Sequence, residues 1–151
     1  MSARQRLPVI GWREWVGFPE LGVARIKGKI DTGARSSALH VFGIEPFRRD
    51  GRSMLRFSVA VQQRTRRVAV PAEAEQIEER TVRSSGGHEQ VRPVILTSLA
   101  LGGDIWPIEL TLTRRDEMGF RLLVGRQAIR GRALVDPGRS FLANAPLPEV
   151  P

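Results

Sequence analysis

The chain has 151 residues, 41% of them hydrophobic and 26% charged, which suits a single globular domain over residues 1–151 with a sizeable core. It contains no cysteine, which excludes disulfide bonds and thiolate metal ligands, and no apolar run approaches the roughly 18 residues that a membrane span needs. The net charge of +8, carried by 22 arginines and two lysines, predicts an acidic partner unless it only reflects a GC-rich genome.

The N-terminal part of the chain predicts a pair of strands. Residues 1–8 lack the apolar segment of a signal peptide and, with the absence of cysteine, predict a cytoplasmic protein. Short apolar runs on either side of a turn that contains Pro and Gly predict strands over residues 9–16 and 23–30. Trp12 and Trp15 either form a peptide-binding face or, as we prefer, pack in the core or in a dimer interface.

A lone carboxylate stands where the second of these strands ends in a tight turn, in the sequence DTGARSS of residues 31–37. The Thr32 hydroxyl can hydrogen-bond the local backbone, and Gly33 lets main chain approach closely. Aspartic proteases present their catalytic aspartate in an Asp-Thr-Gly turn, and the turn at Asp31 resembles it. The simpler interpretation is a β-turn with a satisfied surface aspartate.

The middle of the chain predicts short strands separated by turns. The dipeptide Asp50-Gly51 predicts a hairpin turn, because both residue types accept positive φ angles. Residues 72–80 are rich in Glu and Ala and predict a helical turn or an irregular loop. The remaining predicted elements are a strand over 38–42 ending near Gly43, a strand over 54–61, a basic turn over 62–67 and a strand over 68–71.

The C-terminal half of the chain predicts two hairpins and a short helix. Polar arms meet at Ser85, Gly86 and Gly87 within residues 80–93, which predicts a mobile hairpin. An apolar strand over 122–125 runs into glycine and precedes a short helix-like stretch. The remaining predicted elements are strands over 94–101 and 104–113 joined at Gly102-Gly103, a loop over 114–119, a strand over 133–135, a turn over 136–138 and a loose tail over 143–151.

The segment Val124-Gly125-Arg126 resembles a second element of the retropepsins, which are the retroviral-type aspartic proteases. In that family an apolar-apolar-Gly strand lies under the catalytic turn, and the following arginine begins the C-terminal helix and anchors the turn. The resemblance implies an all-β, retropepsin-like closed barrel with one short C-terminal helix. It also implies that Gly125 and Arg126 support the site and that residues 80–93 are either the flap over it or an ordinary exposed hairpin.

From about residue 8 to residue 142 the chain resembles the RimB-like family, which consists of small bacterial retropepsin-like proteins often called "ATP-dependent zinc proteases". This resemblance implies an endopeptidase that removes oligo-glutamate tails from a ribosomal protein, associated with an ATP-grasp glutamate ligase system. The segments that carry it are residues 11–14 (GWRE), 29–35 (KIDTGAR), 44–47 (IEPF), 80–85 (RTVRSS), 106–113 (WPIELTLT), 115–119 (RDEMG), 123–126 (LVGR) and 135–140 (VDPGRS).

The residues do not fit a requirement for zinc or ATP. A zinc protease needs three protein ligands, commonly from a His-Glu-x-x-His motif, and the two histidines, His40 and His88, stand far apart in the sequence. The chain also has no phosphate-binding loop of the form Gly-x-x-x-x-Gly-Lys-Ser/Thr. We therefore predict no metal and no cofactor.

Aspartic protease chemistry requires two carboxylates that share one proton, and this chain has a single Asp-Thr-Gly. The sequence Asp136-Pro137-Gly138 is no second copy, because proline lacks the hydroxyl of threonine. A chain of this length has no second lobe, so the second carboxylate must come from another subunit. We therefore predict a twofold-symmetric homodimer with paired Asp31 residues.

Arginines are the predicted readers of an acidic substrate. Retroviral enzymes commonly carry an acidic residue after Gly-Ala, whereas this chain has Arg35, at a position that lies beside the substrate in the family. Arg80, Arg83 and Arg115 extend the predicted basic cleft. Two alternatives stay open, namely a non-catalytic module that binds acidic peptides and a small β-barrel that binds RNA. The sequence does not favour nucleic acid, because basic and aromatic residues are not interleaved along it.

Overall fold

A computed structural model describes residues 7–63, 66–83, 86–114 and 119–143, and within these residues the chain is nearly all β-structure. A single turn of 3-10 helix, Pro19–Leu21, and one short α-helix interrupt the strands. The strands are β1 (Val9–Gly11), β2 (Arg13–Phe18), β3 (Val23–Asp31), β4 (Ser37–Arg49), β5 (Arg52–Gln63), β6 (Arg66–Arg83), β7 (Glu89–Leu101), β8 (Asp104–Thr113), β9 (Leu122–Gly125) and β10 (Leu134–Asp136), and the helix is α1 (Arg126–Ile129).

Eight of the strands form one sheet in the order β2-β3-β9-β4-β5-β6-β7-β8. Strand β8 also pairs in parallel with the start of β4, and β2 bridges to β7 at a single residue pair. The short strands β1 and β10 form a separate parallel pair. The prediction of an all-β fold with one short C-terminal helix is confirmed, whereas closure of the barrel stays a prediction.

The hydrophobic core comes from strand residues that alternate with solvent-facing ones. Large apolar side chains such as Phe18, Leu39, Phe57, Leu99 and Leu110 are almost completely buried. Because successive side chains of a strand point to opposite faces, alternate residues supply much of this core, while the end of β8 is buried on both faces. Burial of one such side chain stabilises the fold by about 1.5–3 kcal/mol. Within the described residues, no helix is long and apolar enough to cross a membrane.

Two predicted boundaries differ from the structure. Strand β4 does not end near Gly43 but continues to Arg49, because Gly43 adopts a φ of 61° at a β-bulge that shifts the register. Residues 72–80 form neither a helical turn nor a loop, because they belong to strand β6. There Ala72 packs in the core while Glu73 faces solvent and pairs with Arg56 of β5 and Arg49 of β4, so cross-strand pairing outweighs the helical preference of Glu and Ala.

The predicted hairpin turns are confirmed where the structure describes them. Asp50 and Gly51 have φ angles of 53° and 76°, and Gly102 and Gly103 also have positive φ angles. Parts of four other predictions lie outside the described residues. These are positions 64–65 of the basic turn, positions 84–85 of the hairpin over 80–93, positions 115–118 of the loop before β9, and most of the tail, positions 144–151.

The first and last described segments of the chain pack against each other. Strand β1 pairs with β10, and the Trp12 N–H donates to the Arg139 carbonyl at 2.9 Å. The buried Glu14 carboxylate accepts hydrogen bonds from the backbone N–H groups of Gly11 (2.6 Å), Leu142 (2.7 Å) and Ala143 (3.2 Å). A charge-assisted hydrogen bond is about twice as strong as a neutral one, so Glu14 holds the two segments together.

The two tryptophans near the N-terminus are only partly buried, and they contact other aromatic rings rather than the main core. Trp12 meets Phe120 edge-on and Trp15 stacks on Phe141, each with ring centroids 5.9 Å apart. The Arg13 guanidinium lies over Trp12, with its carbon 4.8 Å from the ring centroid. Whether a second subunit covers this surface stays a prediction.

Candidate active site

Asp31 is the last residue of strand β3 and the first of a tight turn. The Ala34 N–H donates to the Asp31 carbonyl at 3.2 Å, which closes the turn. The Gly33 N–H donates to Oδ1 of the Asp31 side chain at 3.0 Å, so the backbone fixes the orientation of this carboxylate. Asp31 is partly exposed, and Thr32 and Gly33 are exposed. The turn therefore presents an oriented carboxylate to its surroundings.

Hydrogen bonds from the first residues of helix α1 hold this turn in place. The Arg126 N–H donates to the Ala34 carbonyl at 2.8 Å, and the Gln127 N–H donates to the Arg35 carbonyl at 3.2 Å. The Arg126 guanidinium reaches back and donates to the Gly33 carbonyl at 3.1 Å. These contacts support the anchoring role predicted for Arg126.

Gly125 lies where no side chain fits. A Cβ atom built on it would stand 2.5 Å from the carbonyl oxygen of Ser36, which is a backbone atom and cannot move aside cheaply. The Gly125 N–H donates to the buried Ser37 hydroxyl at 3.0 Å, and the Thr111 hydroxyl donates to the Ser37 carbonyl at 2.8 Å. The close packing of β9 under the turn thus depends on glycine at this position.

A cleft of about 910 Å³ opens between the Asp31 turn and strand β6. Four arginines line it, namely Arg35, Arg80, Arg83 and Arg92, against the two carboxylates of Asp31 and Glu109. The structure therefore brings Asp31 together with three of the arginines predicted as substrate readers. Gly86 and Gly87, the described part of the predicted flap tip, do not line the cleft, and Ser85 and Arg115 lie outside the described residues.

Two of these arginines already contact carboxylates. Arg80 donates from Nη2 to Glu109 at 2.6 Å and also bonds the Glu78 carboxylate. The hydrogen bond to Glu109 is the main reason why the pKa of Arg80 lies above its ordinary value, so Arg80 stays charged. Arg83 pairs with Glu89 at 3.2 Å on the exposed arm of the hairpin.

Sequence reasoning missed Arg92 and Glu109 as cleft residues. Arg92 stands opposite Arg80 in the pairing of β6 with β7, is only 5% exposed, and donates from Nε to the Gln90 side chain at 2.8 Å. The alternation of Gln90, Arg92 and Val94 along β7 could have indicated an inward-facing arginine, because all three share one face of the strand.

The other polar residues considered for a site, Asp136, His40 and His88, do not line the cleft. Asp136 repeats the local geometry of the Asp31 turn, because its Oδ1 accepts the Gly138 N–H at 2.9 Å, but it does not line the cleft. His40 is buried, with Nδ1 3.1 Å from the Arg121 guanidinium, and His88 lies in the hairpin loop that precedes β7. In the parts of the chain that the structure describes, no three His, Cys, Asp or Glu side chains come together as metal ligands.

Comparison with known proteins places this site in context. Residues 9–146 match the family model described as "RimB-like: Retropepsin-like aspartic endopeptidase RimB". A protein of Shewanella pealeana (strain ATCC 700345 / ANG-SQ1) named "Probable alpha-L-glutamate ligase" is 43% identical over 133 residues, which cover 88% of this chain and 29% of that protein. One of Parasynechococcus marenigrum (strain WH8102) with the same name is 46% identical over 129 residues, which cover 85% and 28%.

A solved structure shares the fold. The crystal structure of protein Lpg0085, of unknown function, from Legionella pneumophila subsp. pneumophila str. Philadelphia 1 superimposes with a TM-score of 0.73 at 28% sequence identity. The match covers 91% of this chain and 98% of that one. This chain thus spans nearly the whole of the solved protein but less than a third of the curated relatives.

Proposed function

Because the chain belongs to the RimB-like family of retropepsin-like aspartic endopeptidases, we propose that it hydrolyses acidic peptides with Asp31 as its catalytic residue. One observation carries the proposal: the oriented Asp31 carboxylate lies in a cleft that Arg35, Arg80, Arg83 and Arg92 also line. An arginine fork binds a carboxylate through two parallel hydrogen bonds, so this cleft suits a peptide rich in acidic side chains.

The proposed catalyst is a homodimer of closed barrels in which the two Asp31 carboxyl groups, each with Thr32 and Gly33 in its turn, share one proton. Two like charges side by side cannot both ionise, so one Asp31 is ionised and the other protonated. The ionised group takes a proton from water, the water oxygen attacks the peptide carbonyl carbon, and the protonated group donates to the carbonyl oxygen. The tetrahedral intermediate then breaks its C–N bond: the Asp31 that took the proton from water gives it to the leaving amine, and the other Asp31 takes a proton from a hydroxyl of the intermediate as the new carboxyl group forms. The exposed Thr32 and Gly33 leave the turn accessible to a partner.

The proposed substrate is an oligo-glutamate segment, such as a glutamate tail on a ribosomal protein. Support comes from the arginines of the cleft and from the curated relatives, which are named "Probable alpha-L-glutamate ligase". A ligase that adds glutamates would form, and a peptidase that removes them would break, the same type of amide bond. In this proposal Arg35, Arg80, Arg83 and Arg115 bind the side-chain carboxylates, while Gly125 and Arg126 hold the turn.

The test is incubation of the purified protein with a synthetic oligo-glutamate peptide and with a glutamylated protein, with the products read by mass spectrometry. Asp31→Asn should lower the rate by roughly 10²–10⁴-fold, the usual contribution of a general acid or base. Asp136→Asn is a matched control, since this aspartate accepts the same type of backbone hydrogen bond outside the cleft.

The same measurement separates the two classes of function. Hydrolysis by the wild-type protein that Asp31→Asn removes and Asp136→Asn leaves unchanged supports the peptidase. Tight binding of the peptide without any hydrolysis would instead assign a non-catalytic module that binds acidic peptides.

A further inference from the structure

A second cavity of about 560 Å³ adjoins the cleft on the side of strand β8 and helix α1. Four residues line both spaces, namely Ser36, Arg80, Glu109 and Gln127. The two cavities are therefore neighbours and have a common wall.

The common wall is held by an ion pair. Arg80 and Glu109 approach to 2.6 Å, and each of them faces both cavities. Their side chains are 26% and 47% exposed, so solvent screens the pair and side-chain rotation can open it at a modest cost in free energy. A carboxylate that arrives from the cleft can take the place of Glu109 on Arg80.

The second cavity has its own arginines. Arg130 and Arg132 follow helix α1 and are exposed at its edge. Among the described residues, no carboxylate forms an ion pair with either of them, in contrast to Arg80 and Arg83 in the cleft. Two guanidinium groups without a carboxylate partner in the described part of the chain favour an anionic ligand.

An aromatic ring packs against one of these arginines, Arg132. Trp106 is largely buried, and its indole N–H donates to the Ala128 carbonyl at 2.8 Å, which fixes the ring against helix α1. The Arg132 guanidinium carbon stands 5.1 Å from the centroid of the Trp106 ring, so the ring orients this cation. The cavity thus offers a rigid apolar wall for a short aliphatic stem beside a preorganised cation for its charged end.

We propose that this second cavity is a subsite for a further acidic residue of the same extended peptide. Arg130 and Arg132 bind its carboxylate, and Trp106 packs against its methylene groups. The inference rests on the proposed peptidase function, because it takes the substrate to run from the Asp31 cleft past Arg80 and Glu109. Its consequence is that the protein senses the length of an acidic segment: a peptide long enough to reach the second cavity binds more tightly than one that fills only the cleft.

The test measures binding rather than turnover. In the 151-residue Asp31→Asn chain, dissociation constants are determined by fluorescence anisotropy for labelled oligo-glutamate peptides of increasing length. Affinity should rise by about tenfold once the peptide reaches the second cavity, the usual effect of a hydrogen bond to a charged group. The double substitution Arg130→Gln and Arg132→Gln should remove this rise, and Arg130→Gln alone should reduce it.

Arg67→Gln is the matched control for Arg130→Gln alone, because it also removes one positive charge, from an exposed position on strand β6 that lines neither cavity. The proposal is overturned if the double variant keeps the dependence on length, if Arg67→Gln weakens it as much as Arg130→Gln does, or if no peptide binds. Wild-type hydrolysis is measured in parallel. Cleavage together with an unchanged dependence on length in the double variant would refute the subsite alone, whereas the expected binding pattern without cleavage would refute the peptidase alone.

Discussion

At the scale of a single residue, the missing side chain of Gly125 allows strand β9 to pack directly against the Asp31 turn. Gly125→Ala would place a Cβ 2.5 Å from the Ser36 carbonyl oxygen, so the turn or the strand must shift. We expect a loss of about 1–3 kcal/mol in the free energy of unfolding, the usual cost of overpacking, measured by urea denaturation. Activity should fall as well, because the turn that orients Asp31 moves.

Gly138→Ala is the matched control for this prediction. The Cβ of that variant would find its nearest neighbour, the Asp136 carboxylate, at an ordinary contact distance of 3.5 Å. Its free energy of unfolding should stay within about 0.5 kcal/mol of the wild-type value. Equal effects of the two substitutions would contradict the role of close packing at Gly125.

The residues of the site differ in how well the sequence indicates them. Asp31, Gly125 and Arg126 could be selected because they stand in short sequence motifs, a tight turn and a strand-to-helix junction. The alternation along β7 indicates that Arg92 faces inward, but neither Arg92 nor Glu109 could be assigned to the cleft, because they reach it only through the register of two long hairpins. A one-residue slip of that register would turn each of them to the other face.

At the scale of elements, the ion pair between strands β6 and β8 gives a prediction of increased activity. Glu109→Gln keeps the shape of the side chain but removes the charge that competes with the substrate for Arg80. We expect kcat/KM on oligo-glutamate to rise by about two- to fivefold, in line with the strength of exposed ion pairs. The gain should shrink at high ionic strength, because salt screens these charges.

Glu75→Gln serves as the control for Glu109→Gln. Glu75 also faces an arginine, Arg52 at 3.6 Å, but neither of these two residues lines the cleft. This variant should keep the wild-type kcat/KM. A decrease in Glu109→Gln would mean that Glu109 positions Arg80 rather than competing for it.

Strand β6 also explains where sequence-based prediction of the elements failed. Its middle, residues 72–80, is rich in Ala and Glu, which prefer helices in isolation, yet the strand pairs along its length with β5 and then with β7. The short turns at Asp50-Gly51 and Gly102-Gly103 were predictable because positive φ angles need particular residues. Pairing between strands that are distant in the sequence does not require particular residue types at particular positions.

At the scale of the whole molecule, the proposed pairing of two Asp31 residues makes activity a property of the dimer. Mixing wild-type protein with Asp31→Asn should produce mixed dimers that hold one competent carboxylate and are inactive. With a ninefold excess of the variant and free exchange of subunits, about a tenth of the wild-type activity should remain. A monomer, or a site complete within one chain, would keep full activity in the mixture. The measurement is the initial rate of hydrolysis after the mixed subunits have re-equilibrated.

The pairing of β1 with β10 and the hydrogen bonds of Glu14 bring the first and last described segments side by side. A fold with adjacent ends can be inserted into, or appended to, another polypeptide without strain on either partner, since a single short tether reaches both ends. The folded segment could therefore be joined to different proteins, in keeping with relatives in which a matching segment makes up only 29% of the chain. For the same reason it should tolerate circular permutation, with the old ends joined by a linker and new ones opened at the exposed Asp50-Gly51 turn.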